Sequence, residues 1–164
     1  MTAAIRPVAH GDWETITTIF NHFVHNSFAA YPEEPVEESF FRERHEANPE
    51  YPFVVAEEGE EIVGFAYLSP FHPVSTMKRS ASITYFIDPD FTGQGLGTRF
   101  LDYLIDAAGS LEIANILAHI SSQNLGSIRF HLRHGFVRCG EFKNIGTKNG
   151  EPFDMVWLQR ELQP

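Results

Sequence analysis

The sequence has little cysteine, little positive charge and no long apolar run. Cys139 is the only cysteine in 164 residues, so no disulfide can form within the chain, which favours a reducing cytoplasm. Lysine and arginine number 12 against 22 acidic residues, and the formal net charge is -10. This balance disfavours a nucleic-acid partner, which needs a basic face. Because no stretch resembles a membrane span or a signal peptide, we expect no membrane association.

The chain has enough apolar residues for a substantial core. Its composition is 43% hydrophobic, with 15 phenylalanines, and its length suits one compact domain over residues 1–164. The acidic residues concentrate at 33–38 and 57–61. Such clusters are typical of solvated surfaces, although they could also attract a cationic or amine substrate.

Hydrophobic periodicity and turn residues predict a mixed α/β (α+β) chain with the element order βααβββαβαββ. Asp12 is expected to cap the first helix, Pro35 to open the second and Asn48-Pro49 to end it. Leu96 begins a strongly amphipathic third helix. The remaining predictions are a short helix at 127–133 and strands at 5–8, 53–57, 62–69, 80–87, 116–120, 136–143 and 153–158.

The glycine-rich segment at 92–98, TGQGLGT, lies between a predicted strand and helix. Glycines let successive backbone N–H groups turn toward one anion, and the helix N-terminus adds positive potential. A Walker A loop would need lysine after its last glycine, but Gly97 is followed by Thr98 and Arg99. The spacing also departs from the GxGxxG of a Rossmann loop. A phosphate cradle and a plain glycine-rich turn both remain possible.

Several segments together resemble the GNAT acetyltransferases. Residues 85–97, YFIDPDFTGQGLG, are similar to the end of a hydrophobic strand followed by the pyrophosphate loop of that superfamily. Residues 51–57, YPFVVAE, and the early Asn21-His22 resemble its phosphinothricin and methionine sulfoximine acetyltransferase branch. Downstream, the Ser122-Gln123-Asn124 and Gly135-Phe136 segments fit as well, so the resemblance covers almost the whole chain.

The resemblance implies the GNAT acyl-CoA N-acyltransferase fold, a mixed but mostly antiparallel central sheet flanked by helices. It also implies acetyl-CoA as co-substrate, without a metal, and direct transfer of acetyl to the primary amine of a small molecule through a tetrahedral intermediate. An amino acid or an analogue such as phosphinothricin or methionine sulfone is the expected type of amine. A homodimer is expected on the same ground.

By the same resemblance, the strand at 80–87 would splay from the strand at 116–120 and hold the pantetheine arm between them. Backbone groups of Phe86 and Ile87 and the Asn124 side chain would bind this arm, and the glycine loop would bind the pyrophosphate. The full set of expected cofactor residues is Phe86, Ile87, Thr92, Gly93, Gln94, Gly95, Leu96, Gly97, Thr98, Asn124 and Ser127.

The sequence departs from the family pattern at two positions. Thr92 replaces the Arg or Gln at the start of the loop, and Ser82 stands where the branch has a Glu that could act as base. Serine cannot accept a proton at neutral pH. A water chain near Ser82, the imidazole of His72 or that of His119, or a substrate amine that arrives neutral are the alternatives.

His131 occupies a position where the superfamily often has a tyrosine that protonates the leaving thiolate. A charged histidine can do the same, or His131 can simply pack beside the cofactor. The helical spacing of His131 with His134, and of His22 with His25, could suit a metal. Because each pair lacks a third ligand, no metal is expected.

The substrate remains open at this stage. Lys78 and Arg79 could pair with a substrate carboxylate or be solvated surface charges. Two other functions compete with small-molecule acetylation. One is binding of acyl-CoA without catalysis, for which the missing Glu argues, and the other is acetylation of peptide or protein N-termini.

Overall fold

A seven-stranded sheet forms the centre of the computed structural model, which describes residues 2–162. The strands are β1 Ala4–Pro7, β2 Phe53–Glu58, β3 Glu61–Pro70, β4 Ser80–Ile87, β5 Asn115–Ser121, β6 Val137–Lys148 and β7 Glu151–Glu161. The helices are α1 Trp13–Asn26, α2 Ser39–Ala47, α3 Leu96–Ser110 and α4 Leu125–Arg133. The predicted element order is therefore confirmed. Within the described residues, none of the helices combines the length and apolar content that crossing a bilayer requires.

The strands lie in the order β1-β2-β3-β4-β5-β7-β6, and all neighbours except β4 and β5 are antiparallel. The two parallel strands pair only over residues 80–82 and 115–117. Beyond that point β4 continues to Ile87 and β5 to Ser121 without pairing to each other. The sheet therefore opens into a V-shaped gap in its middle.

Side-chain alternation assigns the two faces of the sheet to two cores. One core packs α3 and the start of α4 against residues such as Ala81, Ile83 and Ala118. The other packs α1 and α2 against aromatic residues such as Phe65 and Phe53. Successive side chains along a strand point to opposite faces of the sheet. Beyond the divergence, the side chains of β4 and β5 therefore point alternately toward the α3–α4 face and toward the α1–α2 face.

One predicted helix start and one predicted helix cap are wrong. Pro35 does not open α2, which begins at Ser39, because both backbone groups of Val36 are bonded to the Asn21 side chain, at 2.9 and 3.0 Å. Asp12 stands at the start of α1, but its side chain makes no cap bond to that helix. Its carboxylate instead accepts the Ala9 N–H at 2.7 Å and pairs with Arg6 at 2.8 Å. Val36 is thus held by a residue 15 positions away, and Asp12 is held by partners that precede it in the chain.

The β6–β7 hairpin holds the connection between α1 and α2 against the sheet. The Lys148 side chain is buried, and its Nζ donates to the carbonyl oxygens of Ser27 and Ala30 at 2.7 and 2.6 Å. The ring of Phe153 stacks on Tyr31 with the centroids 5.6 Å apart. Residues 29–32, which border the gap, are therefore positioned by this hairpin.

Gly146 leaves room for the Phe153 ring opposite it in the hairpin. A Cβ at Gly146 would lie 2.3 Å from the Phe153 Cζ atom, whereas a Cβ at Gly140 of the same strand would meet nothing within 4 Å. We expect Gly146→Ala to lower the free energy of unfolding by about 1–3 kcal/mol, because the ring must move.

Chemical denaturation of the two alanine variants measures this difference. The matched Gly140→Ala protein should stay within about 0.5 kcal/mol of the native protein. Equal stabilities of the two variants would contradict the packing constraint.

Candidate active site

The gap between β4 and β5 opens into a cavity of about 1000 Å³. At one end, here called the loop end, it is bordered by the segment 91–98 and by α4. The other end is called the aromatic end because its walls come largely from aromatic side chains. These are Phe20, Phe23, Tyr31, Phe40, Phe41 and Tyr67. One continuous space thus joins an anion-binding loop to a mostly apolar pocket.

The loop end has the geometry of an anion site. Gly93 and Gly95 have φ values of 73° and 82°, a left-handed conformation that favours glycine. In the described chain, the first bond at the start of α3 runs from the Arg99 N–H to the Gly95 carbonyl. The N–H groups before Arg99 are therefore left for a ligand at the positive end of the helix.

The structure brings together nearly all of the residues predicted for the cofactor. Gln94 is the exception, since it does not line the cavity. Those that do are Phe86, Ile87, Thr92, Gly93, Gly95, Leu96, Gly97, Thr98, Asn124 and Ser127. The Asn124 Oδ1 caps α4 by accepting the Ser127 N–H at 3.3 Å, which leaves its amide NH₂ available to a ligand.

His131 is buried, and both of its ring nitrogens have partners. Nδ1 donates to the Ser127 carbonyl at 2.7 Å, so Nε2 is the acceptor for the Tyr85 hydroxyl, and the two rings stack. Burial lowers the pKa of His131 and raises the pKa of Tyr85. Both side chains are therefore neutral near pH 7. Tyr85 belongs to the part of β4 that does not pair with β5, and it lines the cavity.

His134 repeats this pattern one turn later. Its Nδ1 donates to the Phe130 carbonyl at 2.7 Å, and its Nε2 lies 3.0 Å from the Thr98 hydroxyl. This contact ties α4 to the glycine loop. Residues 2–162 contain no group of three or more side chains that could hold a metal ion.

Ser82 and His119 lie on the same face of the sheet, at the point where the strands diverge. Ser82 pairs with Leu117 of β5, and His119 is two residues further along the same strand, so its side chain points the same way. Both line the cavity. His119 Nδ1 is 3.2 Å from the Tyr31 hydroxyl, and their rings stack. Desolvation lowers the pKa of His119 and raises that of Tyr31 to about 12.

Three other residues singled out from the sequence lie outside this cavity. His72 and Lys78 line a neighbouring cavity of about 840 Å³, and the His72 ring accepts the Val74 N–H at 3.2 Å. Arg79 donates to the Glu112 carbonyl at the end of α3, at 3.1 Å. Of the two candidate base histidines, only His119 is thus placed beside Ser82.

The cavity residues that were not predicted from the sequence include Tyr85, Tyr31 and Arg44. Strand alternation could have placed Tyr85 on the face opposite Ser82, toward His131. Tyr31 and Arg44 gave no local signal, because their positions depend on how the α1–α2 connection and α2 pack against the sheet.

Known proteins with similar sequences are acetyltransferases. A model of the Acetyltransferase (GNAT) family matches residues 16–136. The chain is 31% identical over 169 residues to an L-methionine sulfoximine/L-methionine sulfone acetyltransferase of Pseudomonas aeruginosa, covering 100% of this chain and 97% of that protein. It is 29% identical over 163 residues to a phosphinothricin N-acetyltransferase of Streptomyces coelicolor. This match covers 96% of this chain and 95% of that protein.

Solved structures agree. A GNAT superfamily phosphinothricin acetyltransferase from Sinorhizobium meliloti, in complex with AcCoA, matches with a TM-score of 0.91 and 30% identity, covering 99% of this chain and 89% of that one. A putative acetyltransferase from Salmonella typhimurium with acetyl-CoA matches with a TM-score of 0.92 and 28% identity, covering 99% and 95%. The fold, the cavity and these similarities together show that the chain belongs to the GNAT family of acetyltransferases and is an N-acetyltransferase.

Proposed function

We propose that the protein transfers the acetyl group of acetyl-CoA to the primary amine of a small molecule, in the gap between β4 and β5. One observation carries the proposal: a single cavity connects the anion-binding loop to the aromatic pocket through the unpaired edges of the two strands. A thioester and an amine that enter from opposite ends would meet at this gap. Holding the two reactants together is a major source of rate enhancement in such a transfer.

The loop end would hold acetyl-CoA. Its pyrophosphate would accept hydrogen bonds from the N–H groups of residues 93–98, and Arg133, which also lines the cavity, supplies a positive charge. Phe86 and Ile87, on the edge of β4 that does not pair with β5, and the amide of Asn124 would bind the pantetheine arm. Most of these contacts come from backbone, so Thr92 in place of the family Arg or Gln changes the site little.

His119 would take the proton that the substrate ammonium must lose before its nitrogen can attack. Its lowered pKa keeps the ring neutral, and the Tyr31 hydroxyl oxygen can accept a hydrogen bond from Nδ1–H. In that tautomer Nε2 carries the free lone pair. Ser82 would hydrogen-bond the amine or a water beside it, since its hydroxyl is a donor and acceptor but not a base.

On the thiolate side, we propose that His131 acts by holding the Tyr85 hydroxyl rather than by carrying a proton. Both ring nitrogens of His131 are occupied and its pKa is lowered by burial, so a positively charged ring is unfavourable there. A thiol has a pKa of about 8.5, so a thiolate is a tolerable leaving group without a charged acid.

The direct test is release of CoA thiol from acetyl-CoA with a panel of amines, with the acetylated products identified by mass spectrometry. The panel contains methionine sulfone, phosphinothricin, free amino acids, their decarboxylated amines and short peptides. We expect turnover with small amines. Binding of acetyl-CoA without turnover of any amine would favour a binding protein, and turnover of peptides alone would favour a peptide N-terminal acetyltransferase.

Replacing His119 tests the proposed base. His119→Asn should lower kcat/KM for the amine by about 10²–10⁴-fold without changing acetyl-CoA affinity. Because the His119 pKa lies below its ordinary value of 6.5, the native rate should fall only as the pH drops through that lower value. The variant should lack this fall.

The control for this variant is His72→Asn, which alters a histidine outside the main cavity and should leave kcat/KM unchanged. Adding Ser82→Glu to the His119→Asn protein should restore part of the rate, since the carboxylate would lie on the same face of the gap. Unchanged rates in His119→Asn at all pH values would exclude His119 as the base.

The Tyr85–His131 pair predicts non-additive losses. If His131 works through Tyr85, the rate loss in the Tyr85→Phe/His131→Asn double variant should be close to the larger single loss. Because His131 is neutral, its replacement should remove no limb of the pH–rate profile. Additive losses, or loss of an alkaline limb in His131→Asn, would instead show a charged histidine acting by itself.

We also propose that the protein is a cytoplasmic homodimer. The edge strand β6 exposes three large apolar side chains, Val137, Phe142 and Ile145, which a second copy could cover. The single thiol, Cys139, is exposed and unpaired, as suits a reducing compartment. Light scattering should give twice the 18.6 kDa of one chain, and a monomer mass would contradict the dimer.

A further inference from the structure

Arg44 lies where two cavities meet. It is on α2 and lines both the aromatic end of the main cavity and the neighbouring cavity of about 840 Å³. Phe40, Tyr67 and Ser69 are also shared by the two cavities. Ser69 of β3 pairs directly with Ser82 of β4, the residue at the start of the gap. Arg44 therefore lines the same cavity as Ser82 and His119, where the amine would react.

The guanidinium of Arg44 has no anionic partner in the described chain. Its Cζ atom lies 4.2 Å from the centroid of the Phe40 ring, and no ion pair or hydrogen bond joins it to another residue of 2–162. Arg42, two positions earlier, pairs with Glu38 and Glu46 at 3.8 and 3.9 Å. Stacking on Phe40 satisfies none of the five N–H donors of Arg44, so they are free to bind an anion.

Aromatic rings connect this cation to the gap. Phe86 of β4 lies 5.0 Å from Phe20 and 5.3 Å from Phe23, and Phe20 lies 5.9 Å from Phe40, between ring centroids. The strip from Phe40 to Phe86 therefore offers apolar surface that begins at the Arg44 guanidinium. A ligand that fits it has an apolar body and an anionic group.

We propose that Arg44 binds the carboxylate of the amine substrate, and that the substrates are α-amino acids with nonpolar side chains. The assignment rests on the proposed acetyl transfer. The amino group would face Ser82 and His119, the side chain would lie along the aromatic strip, and the carboxylate would accept two parallel hydrogen bonds from the guanidinium. Lys78 and Arg79, the candidates from the sequence, are replaced in this role by a residue of α2.

Paired substrates test the proposal. We compare kcat/KM for leucine with that for isopentylamine, and for phenylalanine with that for phenethylamine, since each second compound lacks only the carboxylate. The native protein should favour the amino acids. Arg44→Gln should lower kcat/KM for the amino acids roughly ten- to a hundredfold and leave the decarboxylated amines almost unchanged. Arg44→Lys should lose less, because it keeps the charge.

Arg42→Gln is the matched control, because this arginine lies on the same helix and outside both cavities. It should leave both substrate series unchanged. An equal loss for amino acids and decarboxylated amines in Arg44→Gln, or no loss for either, would overturn the carboxylate assignment while leaving acetyl transfer intact. If the native protein acetylated no amine of any kind, the proposed function itself would fail.

Discussion

The early parting of β4 and β5 is the constraint on which the rest of the molecule depends. After three paired residues the strands leave one another, and each keeps an unpaired edge within an otherwise continuous sheet. Unpaired buried backbone groups need partners. A ligand with its own amide groups satisfies this need, so the gap acts as a binding site rather than as a defect. The glycine loop follows β4 and α4 follows β5, which places both at the same end of the gap.

The proposed chemistry relies on neutral groups. In a chain with 22 acidic side chains, the cavity at the gap is lined by Ser82, His119, Tyr85 and His131, and burial lowers the pKa of both imidazoles, which favours their uncharged form. Desolvation disfavours the charged form of an amine and so lowers the pKa of a bound ammonium group, which makes transfer of its proton to a neutral imidazole easier. In the proposed mechanism the His119–Tyr31 pair takes the place of a carboxylate base. Its position depends on Lys148 and Phe153, which hold the α1–α2 connection against the hairpin.

Much of the fold could be predicted from sequence, because its signals are local. The bounds of β4 and the first residue of α3 follow from apolar periodicity and from the glycine run, and the structure places them at Ser80–Ile87 and Leu96. The start of α2 could not be predicted, because the Asn21 side chain holds Val36 across 15 residues. The residues on the amine side of the cavity could not be predicted from the sequence for the same reason. Tyr31, Arg44 and Lys148 acquire their positions through tertiary contacts, whereas the glycine loop is a contiguous segment.

A crystal structure of the protein with acetyl-CoA would show directly whether the gap holds the cofactor. We expect the pantetheine arm to lie between the strands, bonded to the edge of β4 that is unpaired beyond Ser82, with the pyrophosphate on the N–H groups of residues 93–98. We also expect the thioester carbon to face the side of the gap that carries Ser82 and His119. Pairing of β4 with β5 beyond Ser82, or acetyl-CoA bound outside the gap, would show that the gap is not the cofactor site.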